Sequence, residues 1–303
     1  MIKRTLLFSN PAHLSVRKQQ LVVRYPEEET EATVPIEDVG IVILEHRQIT
    51  LTHALISRLL GNNAALVTCD SHHLPQGMML NLNGHSEQQE HFRTQIAATE
   101  AMKGRFWQQT VRAKIHNQAA LLKANGLEVE NMERWAQKTA SADPDNFEAR
   151  AAAWYWQKLF VDFIKNFKRG RFEGEPNNLL NYGYTILRSV IARSLVGSGL
   201  LPAFGYHHRN KYNAYCLADD VMEPYRPFVD QLVVEIVHSE SDYGTLTTEL
   251  KKKLLQIPVL DVKIGGAPPG SQTSPLMLAA QQTTSSLYKC YEKTQKTIQF
   301  PRL

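Results

Sequence analysis

The residues best suited to chemistry are concentrated in segment 205–230, which opens with two adjacent histidines and contains three closely spaced acids. These five residues are His207, His208, Asp219, Asp220 and Glu223. Imidazole and carboxylate groups together can hold a divalent metal ion. A carboxylate-rich set favours Mg²⁺ or Mn²⁺ over zinc, and one histidine shifts the preference towards Mn²⁺. The segment therefore predicts a site for one of these two ions.

Side chains that can donate hydrogen bonds to phosphate lie between the histidines and the acids. They are Arg209, Asn210, Lys211 and Asn213. Metal ligands on both sides of phosphate donors predict phosphodiester chemistry, in which the metal polarises a phosphate oxygen and orients the attacking group. Water or the 3′ end of a DNA strand would be that attacking group.

Each part of this segment also has an ordinary interpretation. Asp220 and Glu223 are three residues apart and would share one side of a helical turn, with Asp219 as its N-cap. Solvated acids at a capped helix start are common, and the histidine pair could be one core residue beside one surface residue. The density of ligand types within so few residues favours a site.

Glu148 is a further candidate, on a helix predicted to start near Asp143 and to run to about Phe167. If the helix starts there, Glu148 shares an otherwise apolar face, where an unpaired carboxylate would need a cation or a metal. A carboxylate in the first turn can instead be solvated and stabilised by the helix dipole. Helix position alone favours this second interpretation.

A second group of basic residues lies in segment 165–171, with phenylalanines interleaved. Its candidate DNA contacts are Lys168, Arg169 and Arg171. This group has two equally good explanations. The residues could contact a phosphate backbone, or they could be a solvated helix end whose cations complement the helix dipole.

Composition limits the classes of function. The chain has 303 residues, a net charge of +4 and 43% hydrophobic residues, which permits a nucleic-acid partner without requiring one. Its three cysteines (Cys69, Cys216 and Cys290) have no zinc-site spacing and fit a reducing cytosol. No glycine-rich nucleotide loop or Gly-x-Ser-x-Gly element occurs. The first residues form a poor signal peptide, and we expect no transmembrane helix and a cytoplasmic protein.

Short β-favouring runs give way near residue 85 to apolar residues at helical spacing. This change predicts an α+β fold: a small β-rich domain, 1–85, followed by a larger all-α-helical domain, 86–303. A short helix capped by Thr50 or Thr52 is expected before Gly61, and Asn125-Gly126 should end a long one. The expected strands are 5–8, 13–17, 20–24, 32–35, 39–44, 64–68 and 78–82. Further helices are expected over 143–167, 177–196, 227–237, 245–255 and 274–291, with a linker at 265–271.

Four stretches together resemble the CRISPR-associated integrase family of spacer acquisition (CRISPR-associated protein one), in its type II branch. They are Phe147-Glu-Ala-Arg150, Asn178-Leu-Leu-Asn-Tyr-Gly-Tyr184, Gly199-Leu-Leu-Pro-Ala-Phe-Gly-Tyr-His-His208 and Leu217-Ala-Asp-Asp-Val-Met-Glu-Pro-Tyr-Arg-Pro227. The resemblance covers nearly the whole chain, and the combination and order of these stretches are highly specific.

The resemblance assigns the metal ligands residue by residue. The family's helical glutamate falls on Glu148, its Gly-x-x-His element selects His208 over His207, and its last acid falls on Glu223. Asp220 becomes a supporting catalytic acid. Ala149 stands where many family members have glycine, a small departure that leaves the site intact.

The resemblance also implies an activity and partners. The family inserts short duplex DNA with 3′-OH ends into a CRISPR repeat by transesterification, without ATP, and uses Mg²⁺ or Mn²⁺. Domain 1–85 would serve dimerisation, and two homodimers would hold a dimer of the small second adaptation protein. The type II effector nuclease and an accessory protein are further expected partners. A metal-dependent nuclease and a catalytically silent DNA-binding scaffold are the alternatives.

Overall fold

The computed structural model describes residues 2–26, 30–71, 73–170, 173–264 and 273–303. The chain divides into two compact units, Met1–Gln88 and Gln89–Leu303. The predicted linker 265–271 and the candidate DNA contact Arg171 lie outside the described residues. Among the helices of the described residues, none is long and apolar enough to span a bilayer.

The first unit contains two four-stranded sheets and one helix, α1 (His53–Gly61). The first sheet has the order β1-β5-β7-β8, with β8 antiparallel to its neighbour and the other pairs parallel. The second has the order β4-β3-β2-β6, with only the β2–β6 pair parallel. The strands are β1 (Arg4–Phe8), β2 (Ala12–Arg17), β3 (Gln20–Arg24), β4 (Glu31–Pro35), β5 (Val39–Leu44), β6 (Ile49–Leu51), β7 (Ala65–Cys69) and β8 (Pro75–Met79).

The core of this unit forms where α1 meets the strands. Thr52 caps the helix by accepting the Leu55 N–H at 3.3 Å. Leu55 and Leu59, one helical turn apart, are fully buried with Leu14 and Leu21 from β2 and β3. Burying an apolar side chain of this size contributes about 1.5–3 kcal/mol. This packing fixes which strand faces point inward.

The second unit is mostly helical. Its helices are α2 (Gln88–Ile96, which begins at the unit boundary), α3 (Glu100–Ala124), α4 (Glu130–Lys138), α5 (Phe147–Leu159), α6 (Asn177–Gly197), α7 (Cys216–Met222), α8 (Arg226–Ser239), α9 (Thr248–Leu254) and α10 (Leu276–Tyr291). A 3₁₀ turn, Glu223–Tyr225, joins α7 to α8. Helix α3 packs against α4, α5, α7, α8 and this turn. It therefore carries side chains that can reach residues from several other helices.

The α+β class is confirmed, and one part of it needs correction. The second unit is not all-helical, because β9 (Asp261–Ile264), β10 (Ser274–Pro275) and β11 (Pro301–Arg302) form a three-stranded antiparallel sheet. These strands are short, and two of them contain proline, so their sequence carries little alternation.

Three predictions of local structure were also wrong. The helix expected over 143–167 begins at Phe147, because Asn146 adopts a left-handed φ of 54°, and it ends at Leu159. Gly61 is the last residue of α1 and not the residue after it. Asp219 lies inside α7 and caps nothing, since its carboxylate pairs with Arg188 through two hydrogen bonds of 2.7 and 2.9 Å.

Candidate active site

Asp220 organises the loop that carries the two histidines. Its buried carboxylate accepts the backbone N–H groups of Tyr206, His207 and His208 at 2.7, 3.0 and 3.0 Å. Gly205 is required for this close approach, since a Cβ there would lie 2.6 Å from the His208 carbonyl oxygen and 2.7 Å from Asp220 Oδ2. Hydrogen bonds to a charged acceptor contribute about 1.5–3 kcal/mol each, so this cluster fixes the loop strongly.

The same loop docks on α3 through one stacked ring pair and one hydrogen bond. The His207 ring stacks on Trp107, with centroids 3.6 Å apart and planes 1° from parallel. The Tyr206 hydroxyl lies 2.7 Å from Thr110 Oγ1. Burial lowers the pKa of His207, so the stacked ring favours its neutral form. His207 thus holds the loop against the helix.

His208 has a different environment. Its Nδ1 lies 2.6 Å from Asp220 Oδ1, and this hydrogen bond raises the pKa of His208 against the opposing effect of burial. An ionised carboxylate only accepts, so Nδ1 carries the hydrogen. In the neutral imidazole, Nε2 then keeps its lone pair and can bind a metal ion.

The two glutamates converge on a lysine. Glu148 lies in the first turn of α5, and its own backbone N–H donates to the Asp143 carboxylate at 2.9 Å. Lys114 on α3 forms a short hydrogen bond to Glu148 Oε1, and its Nζ lies 2.6 Å from Glu223 Oε2. Burial alone would lower the pKa of Lys114, but Glu223 and then Glu148 outweigh it and raise the pKa. Lys114 is therefore a buried ammonium between two carboxylates.

Glu223 is the more buried of the two glutamates. Burial by itself would raise its pKa, but Arg226, 3.0 Å from Oε1, and Lys114 lower the pKa to about 2. The carboxylate is thus ionised at neutral pH. Oε2 is buried and accepts no hydrogen bond of acceptable geometry from the described residues, despite its close contact with the ammonium.

The donor set fits a divalent metal ion. Glu148, His208 and Glu223 supply two carboxylates and one imidazole, and Glu223 Oε2 is a buried anionic oxygen in contact with the Lys114 ammonium. The ligand atoms of these three described residues are not all within 4.8 Å of one another. Lys114 keeps the two glutamate oxygens close together in this arrangement.

A buried network of Tyr155, Tyr184 and Asp230 lies beside Arg226. The Tyr155 and Tyr184 hydroxyls donate to the Asp230 carboxylate at 2.8 and 2.5 Å, and the Arg226 guanidinium lies 4.7 Å from the centre of the Tyr184 ring. Burial raises the pKa of Asp230 to about 6. The network places the guanidinium that pairs with Glu223.

The predicted DNA contacts in the histidine loop differ in their exposure and in their hydrogen bonds within the protein. Lys211 is exposed and lies 4.8 Å from the centre of the Tyr212 ring. Arg209 is exposed and pairs with Glu100 on the surface. Asn210 accepts the Tyr212 N–H through its side chain. Asn213 is less available, because it donates to Asp219 at 2.7 Å and accepts the Tyr215 N–H.

The basic segment after α5 also contains one exposed cation and one that is hydrogen-bonded within the protein. Lys168 is exposed, whereas Arg169 donates to Asn177 and Asn181 at 2.8 and 2.9 Å and lies over the Tyr184 ring. The structure therefore gives Arg169 an intramolecular role in fixing the start of α6.

Sequence reasoning missed Lys114, Trp107 and Arg226 as site residues. The position of Lys114 could have been noticed in the sequence, because it lies three residues after Val111 on the apolar face of α3 that includes Trp107 and Ile115. A charge on a buried helix face needs a partner of opposite charge. Nothing on that face identifies the partners as Glu148 and Glu223.

A family model described as CRISPR associated protein Cas1 matches residues 5–256. The chain belongs to the Cas1 family. The predicted family resemblance is therefore confirmed. The Cas1-family chain is 36% identical over 259 residues to the CRISPR-associated endonuclease Cas1 of Neisseria meningitidis serogroup C, covering 84% of this chain and 83% of that protein. It is 26% identical over 253 residues to CRISPR-associated endonuclease Cas1 2 of Saccharolobus solfataricus, covering 78% and 76%.

Solved structures share the fold of the Cas1-family chain at low sequence identity. A casposase bound to integration product has a TM-score of 0.79 at 17% identity, covering 98% of this chain and 92% of that one. A Cas1 protein from Thermotoga maritima has a TM-score of 0.75 at 15% identity, covering 97% and 99%. A chain of a Cas6-RT-Cas1–Cas2 complex has a TM-score of 0.74 at 21% identity, covering 97% of this chain and 36% of its own length.

Proposed function

We propose that this chain is a divalent-metal-dependent DNA integrase of CRISPR adaptation. Its substrates are short duplex DNA with free 3′-OH ends and a CRISPR repeat. The observation that carries the proposal is the convergence of the Glu148 and Glu223 carboxylates on one cation, Lys114 Nζ, in a chain of the Cas1 family. Carboxylates that converge in this way can together hold a divalent cation, which promotes phosphoryl transfer.

Glu148, His208 and Glu223 would hold the metal, which is Mg²⁺ or Mn²⁺ for a set of carboxylates with one imidazole. A bound ion would polarise the phosphate and orient the attacking hydroxyl. Asp220 positions His208 by accepting its Nδ1–H and three backbone N–H groups, which leaves Nε2 directed away from that carboxylate.

The reaction exchanges one phosphodiester for another. The 3′-oxygen of the incoming DNA forms a bond to a repeat phosphorus, the bond from that phosphorus to the repeat's own 3′-oxygen breaks, and the hydroxyl proton passes to the leaving oxygen. Because the number of phosphodiesters is unchanged, no nucleoside triphosphate is consumed. We infer that the exposed cations Arg209, Lys211 and Lys168 contact DNA phosphates.

The partners follow from the same family membership. We infer a homodimer that assembles with the small second adaptation protein, supported by the fold likeness to a chain of a Cas6-RT-Cas1–Cas2 complex. The likeness to a casposase bound to integration product supports integration as the reaction. The type II effector nuclease and an accessory protein would join in choosing the DNA.

The test incubates the purified chain, with and without the second adaptation protein, with Mn²⁺, supercoiled repeat DNA and a duplex carrying labelled 3′-OH ends. Integration yields joined, branched products, and His208→Ala should lower their yield more than about 100-fold. The control His238→Ala changes an exposed histidine of α8 and should keep wild-type yield. Both variants should bind duplex DNA as wild type does.

Hydrolysis is the second candidate, because the Neisseria meningitidis relative is named an endonuclease. Water would then replace the 3′-hydroxyl as attacking group at the same site. Fragments without joined products would favour this nuclease reading over the integrase. Unchanged joining by His208→Ala would refute the site itself, and DNA binding without any reaction would indicate a scaffold.

A further inference from the structure

The Lys114 ammonium lies between the carboxylates of Glu148 and Glu223. The residue is 7% exposed and projects from the middle of α3. Its ammonium contacts Glu148 Oε1 and lies 2.6 Å from Glu223 Oε2, so one cation serves two carboxylates from different elements. Arg226 pairs with the other oxygen of Glu223, Oε1.

An ammonium and a metal ion cannot serve these two oxygens from one position. A Mg²⁺ ion needs oxygen ligands at about 2.0–2.1 Å, closer than the nitrogen–oxygen contacts of an ammonium. Lys114 Nζ fills the space between Glu148 Oε1 and Glu223 Oε2, so a divalent ion held by these two glutamates would compete with the ammonium. Two cations that close also repel strongly in a buried site.

We propose that Lys114 is the internal counter-cation of the metal-free site, which holds Glu148 and Glu223 together and gives way when a divalent ion binds. The inference rests on the proposed function, since it assumes that these glutamates are metal ligands. It adds a positioning residue whose charge opposes metal binding. The cost of moving the ammonium lowers the apparent metal affinity, in the same way as any competing state.

Lys114→Met tests this directly, because methionine fills a similar volume without the charge. Two carboxylates then face each other with no ammonium between them, which disfavours the metal-free state. Calorimetric titration of Mn²⁺ into the full chain should show a dissociation constant lowered at least about tenfold. In EDTA the thermal midpoint should fall, and saturating Mn²⁺ should raise it by more than it raises wild type.

A second lysine provides the matched control. Lys251 on α9 is equally buried, and Lys251→Met should leave the Mn²⁺ dissociation constant within about twofold of wild type. A loss of stability in this variant without a change in affinity would separate the general effect of removing a buried lysine from the effect proposed for Lys114.

The double variant Lys114→Met with Glu148→Gln keeps the proposal testable if the single variant folds poorly. Removing one carboxylate with the ammonium relieves the repulsion, so the thermal midpoint in EDTA should rise above that of Lys114→Met. No rise, or a Lys114→Met chain that binds Mn²⁺ as wild type does or more weakly, would overturn the proposal. These readouts contain no DNA, so a failure of the integrase reaction leaves them unaffected.

Discussion

Replacing Asp230 with asparagine should remove a pH dependence of stability that the wild-type chain shows between about pH 4 and pH 6. Burial raises the pKa of this carboxyl from 3.8 to about 6, although the Tyr155 and Tyr184 hydroxyls donate to it and oppose the shift. Asparagine fits the same place, because its oxygen can accept from one hydroxyl and its amide can donate to the other.

The sign follows from which state holds the proton more tightly. Between about pH 4 and 6 the folded chain keeps the Asp230 proton while the unfolded chain has lost it. The free energy of unfolding therefore falls as pH rises through this window and is level above pH 6. A difference of about two pKa units at about 1.4 kcal/mol each gives a loss of about 3 kcal/mol.

The assay is urea denaturation of wild type and Asp230→Asn in EDTA at pH 4, 5, 6 and 7. The free energy of unfolding of wild type minus that of the variant should fall by about 2.4 kcal/mol from pH 4 to pH 7, since part of the change lies below pH 4. Asp261→Asn, which changes an exposed aspartate on β9, is the control for replacing an aspartate by asparagine. A wild-type minus Asp230→Asn difference that stays constant within about 1 kcal/mol would refute the reasoning.

Two further predictions concern the histidine loop. Gly205→Ala should destabilise the chain by about 1–3 kcal/mol, because the new Cβ meets a backbone oxygen that cannot move away. In the control Gly174→Ala the new Cβ meets no atom within 4 Å, so this variant should lose less than about 1 kcal/mol. Equal urea midpoints for the two variants would contradict this prediction. Lys211→Ala should flatten the slope of log DNA affinity against log salt by about one, and Lys252→Ala, on a different exposed surface, should leave it unchanged. An unaltered slope for Lys211→Ala would remove that residue from the interface.

Regular patterns in the sequence predicted most of the elements. Gln20–Arg24 and Val39–Leu44 were predicted with their observed ends, because apolar β-branched runs between turn-formers leave few alternatives. The long helix α3 was also predicted, with its end at Asn125 and Gly126, where φ is 74°. These features depend on residues close in sequence, which is what pattern reasoning measures.

Features that depend on distant residues were not predicted. Helix α5 ends at Leu159 and the chain turns, so that Phe167 packs 4.8 Å from Phe160 and 5.7 Å from Trp156 between ring centres. This packing competes with continuing the helix, and no local signal shows which alternative is lower in free energy. The partners of Lys114 were hidden for the same reason, since they come from α5 and from the turn after α7.

The two acids that the spacing places on one side of a helical turn have separate roles in the structure. An ionised carboxylate offers about four lone pairs. Asp220 has four donors, three backbone N–H groups and the His208 imidazole, so its capacity to accept is filled within the protein. Glu223 is different, because its carboxylate pairs with two cations, Lys114 at Oε2 and Arg226 at Oε1. We infer that Glu223 can exchange the Lys114 ammonium for a metal ion, whereas Asp220 acts on the reaction only through the position of His208.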